Sequence, residues 1–191
     1  MQTAFLKAAI PEPFVILGKR LRPFSLGHEL LLQRFENGFA IGSDRMPTID
    51  DLVFAIWICS QPYEDAIRSL QSPLMGLRLR LWGWRIGKAD LMDKFDLMLS
   101  YITEACQRPE VWSKESVGGA GREMGTPSIQ FLIMSATRNG WSYQEAMDMS
   151  YPLSVWLMSA EAERENRLEI VNDRERALMK AAEAMEAKLG S

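Results

Sequence analysis

Over most of the chain, apolar positions recur every three to four residues, and this period predicts a mainly α-helical protein. Residues 2–9 form one short helical pattern, ended by Pro11 and Pro13. The run from Phe14 to Pro23 breaks the period. Two short β-type stretches flank Gly18-Lys19, where a glycine at the first central position suits a type II′ hairpin turn. Ser25 is placed to cap a helix over 26–36 that Asn37-Gly38 ends, and 39–47 reads as loop. Thr48, three residues before Asp51, opens a helix over 49–60. That helix is apolar on nearly every side and belongs at the centre of a core. Pro62 suits the first position of the next helix, 62–71, with Glu64 and Asp65 in its first turn.

Residues 74–87 carry two patterns. Leu77-Arg-Leu-Arg-Leu81 alternates strictly, and Gly76, Gly83 and Gly87 weaken a helix, so a strand over 77–82 is favoured. A small sheet uniting 14–17, 20–24 and 77–82 would then form a minor element. A helix over 89–106 is clearer, with Leu91, Phe95, Met98, Leu99, Ile102 and Cys106 at helical spacing. Residues 108–126 make one long glycine-bearing loop. Thr126-Pro127 starts a helix that Asn139-Gly140 stops, Ser142 and Glu145 form a capping box for 143–149, and Pro152 opens another helix. From Ser159 to Lys188 there is no proline or glycine, which predicts one long, largely solvated helix that Asn172-Asp173 alone is placed to interrupt. The chain thus divides into a helical globular domain, 1–158, and a charged C-terminal helical extension, 159–191, with no internal repeat.

Composition narrows the function classes. A length of 191 residues with 47% hydrophobic and 25% charged content suffices for one core and an appendage. A net charge of −3 argues against whole-protein attraction to nucleic acid or anionic lipid. Cys59 and Cys106 lie far apart in apolar helical patterns and read as buried free thiols in a reducing compartment. The N-terminus lacks the cationic start of a signal peptide. The longest apolar run, Leu52 to Cys59, falls far short of the ~20 residues needed to span a bilayer. A soluble, cytoplasmic protein without membrane partners is expected.

No residue set assembles a recognisable catalytic, cofactor or metal site, and no cofactor is expected. His28 is the single histidine, and Leu31 and Leu32 occupy the positions where a helical partner ligand would stand. Asp50-Asp51 is explained by the helix dipole at a first turn. The glycines at 118, 119, 121 and 125 lack the preceding strand and the Gly-Lys-Ser of a phosphate loop. Ser60, Ser128 and Ser154 have no nucleophile elbow and no histidine partner. Arg78, Arg80, Arg85 and Lys88 interleave with Leu79, Leu81, Trp82 and Trp84, with Lys19, Arg20 and Arg22 nearby if the sheet forms. That combination suits an anion or single-stranded nucleic-acid platform, cation for phosphate and ring for base. A half-buried strand with a solvated arginine face accounts for it more economically.

In the terminal stretch Leu168, Val171, Leu178, Ala182, Met185 and Leu189 keep a three-four spacing that Glu175 breaks, and Glu163 with Arg167 has the spacing of a helical ion pair. Leu168, Val171, Leu178 and Met185 are the candidate partner-binding residues. The stripe is compatible with packing back on the body, with pairing to another chain, and with a free helix.

The segment Asn139-Gly-Trp-Ser-Tyr-Gln-Glu-Ala-Met-Asp-Met-Ser-Tyr-Pro-Leu153 joins a glycine helix stop, a Trp-Ser-x-x-Glu opening and a Pro-Leu lead into a charged final helix. Over roughly residues 126–190 this resembles small proteins of the bacteriophage tail module, especially tail assembly chaperones. The resemblance implies a helical, non-catalytic phage or prophage protein. Such a protein binds the tape-measure protein or tail-tube subunits during assembly and is often made in two lengths by ribosomal frameshifting. A virion component such as a head–tail adaptor is the neighbouring alternative. The family has no fixed catalytic motif, so no residue role carries over. The implied partners are tail or virion proteins or a second copy, with nucleic acid a lesser alternative, in the host cytoplasm or the virion. Met147, Met149, Met158, Met179 and Met185 offer the flexible side chains that suit client binding, although methionine equally fills core gaps.

Overall fold

A computed structural model describes residues 3–84, 91–113, 128–175, 177–179 and 181. Among them the fold is mainly α-helical, with two small antiparallel two-stranded sheets. The elements run α1 (Thr3–Ala9), β1 (Val15–Ile16), β2 (Lys19–Arg20), α2 (Leu26–Arg34), α3 (Ile49–Cys59), α4 (Tyr63–Leu70), α5 (Met75–Trp84) and α6 (Leu91–Ala105). They continue with β3 (Val111–Ser113), α7 (Ser128–Arg138), α8 (Tyr143–Asp148), α9 (Tyr151–Arg164) and β4 (Leu168–Ile170). No helix among the described residues is long and apolar enough to cross a membrane.

Helix α3 is central, as its all-round apolar pattern requires. Leu52, Ala55, Ile56, Ile58 and Cys59 are fully buried, and α2, α4, α5 and α6 pack around it. Its start is fixed by the Thr48–Asp51 capping box. Both cysteines are free thiols, Cys59 buried and Cys106 half-buried. A second tie joins distant segments. The entries to α2 and α9 pair through Leu26 N–H to Met149 O (3.1 Å) and Tyr151 N–H to Phe24 O (2.7 Å). Asp148 accepts the Tyr63 N–H at 2.9 Å, which anchors the start of α4 to the end of α8. Residues 146–153 are therefore built into the body, while 139–145 lie exposed on its surface.

Three expectations need correction. The hairpin forms, but its register pairs Val15 with Arg20 and Ile16 with Lys19, so Leu17-Gly18 and not Gly18-Lys19 makes the turn. Both turn residues have positive φ (51° and 71°), as a type I′ turn demands. Residues 75–84 are a helix and not a strand, so no sheet unites 77–82 with the hairpin. Burial there has a helical period: Met75 is buried and Trp82 and Leu79 half-buried, while Leu77 and Leu81, which a strand would place on the face of Met75 and Leu79, are exposed. Packing on α3 decides between the two patterns.

The third correction concerns the C-terminal stretch. The helix expected from Ser159 to Lys188 ends at Arg164, 168–170 pair antiparallel with 111–113, inside the stretch read as a loop, and helix resumes at Asp173, where Asn172 caps it at the interruption that the sequence offered. The stop is a Schellman motif. Arg167 N–H reaches Ala162 O, Asn166 N–H reaches Glu163 O, and Asn166 takes φ +61°. Glu163 then accepts the Ile170 N–H (2.8 Å) and does not pair with Arg167. The 158/159 boundary drawn from composition falls within α9. The glycine loop at 118–125 lies outside the described residues.

The same motif ends α2 and α7. Asn37 N–H reaches Leu32 O and Glu36 N–H reaches Gln33 O, with Glu36 at φ +49°; Trp141 and Gly140 repeat the pattern after α7 with Gly140 at φ +93°. Glu36 is exposed and its side chain suits the left-handed region poorly. Glu36→Gly should therefore raise stability by about 1 kcal/mol in urea unfolding.

Candidate protein-interaction surface

His28, Glu29 and Asp51, titratable groups inside the fold, are engaged in holding helix ends and a loop. His28 stands three residues after the N-cap Ser25 and completes a capping box. Its N–H donates to Ser25 Oγ (3.2 Å), and its Nδ1 accepts the Ser25 N–H (3.1 Å). The proton is thereby assigned to Nε2, which donates to Gln61 O at 2.9 Å. Burial, partly offset by the Gln61 bond, lowers the His28 pKa to about 4. Glu29, also buried, accepts the Ile41 N–H (3.0 Å) and the Gln33 amide (2.6 Å). Burial outweighs these bonds and raises its pKa to about 7.

Asp51 accepts from Thr48 N–H (2.7 Å) and Thr48 hydroxyl (2.8 Å) and pairs with Arg45 (2.6 Å). Burial pushes its carboxyl up, but these bonds together hold it below the usual range. Asp50 is exposed beside it. Asn37 is buried between the Phe39 N–H and the Asp51 carbonyl. Ser60 and Ser154 donate to carbonyls three residues back, at Trp57 and Tyr151, and Ser128 opens α7 on the surface. The structure brings none of these serines to His28 within hydrogen-bonding distance. No group of three or more His, Cys, Asp or Glu side chains suited to a metal occurs among the described residues.

The predicted partner seam is split up. Val171 is buried, and its N–H bonds to Glu110 O. Leu168 packs with Phe5, Ala8, Trp156 and Ile170 in a cluster that joins α1 to α9 and β4. Leu178 is exposed and Met185 lies outside the described residues. Leu168 and Val171 thus serve the body and do not share an open stripe with Leu178. The methionines divide similarly: Met147 and Met149 are buried core, Met158 is half-buried, Met179 is exposed.

Helix α5 is different. Its inner face seats Met75 in the body, and the Cβ position of Gly83 is 3.7 Å from Val53. Trp82 meets the edge of Trp57 (centroids 5.9 Å apart, planes at 89°), and Lys19 Nζ sits over both rings at 5.5 and 5.7 Å. Trp57 Nε1 in turn donates to Ser69 Oγ. Trp82 is therefore tied into the fold and is not a free stacking platform, as the nucleic-acid reading required.

The outer face of α5 carries Leu74, Leu77, Leu81 and Trp84, exposed by 54, 58, 54 and 88%. Leu74 belongs to the first turn, since its carbonyl accepts the Arg78 N–H at 3.0 Å. At about 100° per residue these four form one stripe, roughly 15 Å long, opposite the buried face. Exposed Arg78 and Arg80 lie about 80° to either side of the stripe's centre. Neither makes an ion pair among the described residues. Arg85 and Lys88, the other two predicted anion-binding residues, lie outside them. The described residues of the chain leave this apolar stripe open.

No family model matches this chain, and no match was found among curated proteins or among solved structures.

Proposed function

We propose that this is a non-catalytic protein that binds other polypeptides during phage tail assembly, in the manner of a tail assembly chaperone, with the outer face of α5 as its binding surface. One observation carries the binding part of the reading: α5 is apolar on two opposite faces, and among the described residues the body covers the inner one and leaves the outer one open. Single leucines on a surface are ordinary, but four large apolar side chains in one helical row mark a docking site. The buried His28, Glu29 and Asp51 support a structural economy in which ionisable groups hold helix ends and loops. The tail-assembly part rests on the resemblance of the 139–153 segment. Its helix stop, capping box and proline-led helix all form.

Co-expression with candidate clients, a phage tape-measure protein and a tail-tube subunit, tests the proposal, read by co-purification and light scattering. The expected result is a soluble complex. Leu77→Asp with Leu81→Asp should reduce the captured client about tenfold or more, with unfolding temperature unchanged because both side chains are exposed. Absence of a complex with either client, or equal capture by the double variant, contradicts the reading.

A further inference from the structure

We infer that the occupant of the α5 face is an amphipathic helix of a partner protein, about three turns long, with acidic residues on both sides of its own apolar stripe. The assignment rests on the polypeptide-binding reading above and specifies the ligand. The length is set by the stripe, which spans Leu74 to Trp84 and offers one row of apolar side chains at three-four-three spacing. Such a row receives another helix at the same spacing, knob against hole. An extended strand would instead need an open sheet edge, and α5 satisfies its backbone within the helix.

The charge is set by Arg78 and Arg80. They flank the stripe on opposite sides, so each stands where the edge of a docked helix would come to lie. A cation on each border, unpaired among the described residues, favours carboxylates at the corresponding edges and repels a basic helix. Lys19 lies over the Trp57–Trp82 pair and is a further cation beside α5. Guanidinium groups suit this role because they form two parallel bonds to a carboxylate while their stems cover apolar surface.

Two labelled peptides of about 18 residues, long enough to be helical on contact, provide the test. Both carry leucines at three-four spacing; one has glutamates on both borders, the other lysines. With the full chain, fluorescence anisotropy should show the glutamate peptide binding about tenfold tighter, with the difference shrinking at high salt. Arg78→Glu with Arg80→Glu should reverse the preference while circular dichroism and unfolding temperature stay unchanged. Equal affinity for the two peptides, no binding of either, or an unreversed preference overturns the inference. So does partition of the protein onto phosphatidylglycerol vesicles that is lost in the Arg78→Glu/Arg80→Glu variant while neither peptide binds; the face would then be a lipid surface. Failure here is separable from failure of the functional reading. A tail-protein complex that survives the arginine reversal overturns the acidic-helix assignment alone. Peptide binding with no capture of a tail protein overturns the tail-assembly reading alone.

Discussion

Glu29→Gln should make the protein about 3 kcal/mol more stable at pH 8 and leave it nearly unchanged at pH 4. The carboxyl titrates near 4.5 when exposed and near 7 in the fold, so between those values the native state holds a proton that the unfolded chain has released. Its contribution therefore falls as pH rises from 4.5 to 7, by about 1.4 kcal/mol per pH unit. Glutamine keeps an oxygen for the Ile41 N–H and never ionises, and Gln33 can turn its amide to accept the new donor. The neighbouring histidine behaves oppositely. His28 titrates near 6.5 when exposed and near 4 in the fold, so the unfolded chain binds the extra proton and stability falls as pH drops through that window. The two slopes oppose each other between about pH 4.5 and 6.5. The parent protein should be nearly flat there with respect to this pair. The Glu29→Gln variant, with only His28 left, should lose roughly 2–3 kcal/mol on acidification across it. Urea unfolding at a series of pH values reads both effects. A variant curve parallel to that of the parent would show that the Glu29 carboxyl is not the titrating group.

Gly27→Ala should cost about 2–3 kcal/mol, against a gain of about 1 kcal/mol that helix propensity alone would give. Gly27 is the second residue of α2, and a Cβ there would stand 2.5 Å from Tyr63 Cδ2, 2.8 Å from Tyr63 Cγ and 2.9 Å from the Met147 carbonyl oxygen. The ring has little room to retreat, because the Tyr63 backbone is held by Asp148 and the side chain packs with Leu31, Ile58, Ala66 and Met147. The carbonyl belongs to α8, whose end is fixed to α2 by the Leu26 to Met149 bond. Three helices meet at one missing methyl group, so the sign of the change in the urea midpoint decides between propensity and packing. A stabilised Gly27→Ala protein would mean that α2, α4 and α8 do not approach as closely as described.

Helix starts were legible wherever a side chain does the capping. Ser25, Thr48 and Ser142 each accept the N–H three residues on, and each can be found by its spacing. The partner in the first box is His28, a residue type outside the usual Glu or Gln, so its structural duty was hidden although its place three residues after Ser25 was in view. Helix stops were legible to within about two residues where a proline or glycine follows, as Pro11 follows α1, Asn37-Gly38 follows α2 and Asn139-Gly140 follows α7. Gly140 announces the end of α7, but Glu36 and Asn166 adopt the same left-handed conformation without a glycine, held there by the contacts of the chain beyond them. After Asn166 comes β4, paired with β3 more than fifty positions earlier, a contact that no local pattern encodes. One long helix, interruptible only at Asn172-Asp173, was therefore expected where a helix, a strand and a further helical stretch from Asp173 stand.

The α5 face had its signal in the sequence, in the three-four-three spacing of Leu74, Leu77, Leu81 and Trp84. Met75, Leu79 and Trp82 on the other side obscured it, because a helix apolar on two faces has little net amphipathicity. Its Leu-Arg-Leu-Arg-Leu centre then imitates a strand. Only the position of α3 separates the covered face from the open one.

Amide hydrogen exchange of the chain alone and in complex with whichever client the proposed co-expression captures tests the binding face most directly. Added protection should concentrate on residues 75–84, while the buried amides of α3 exchange as before. A complex that protects other segments and leaves 75–84 exchanging at the free rate would contradict the assignment of this helix as the surface that grips another polypeptide.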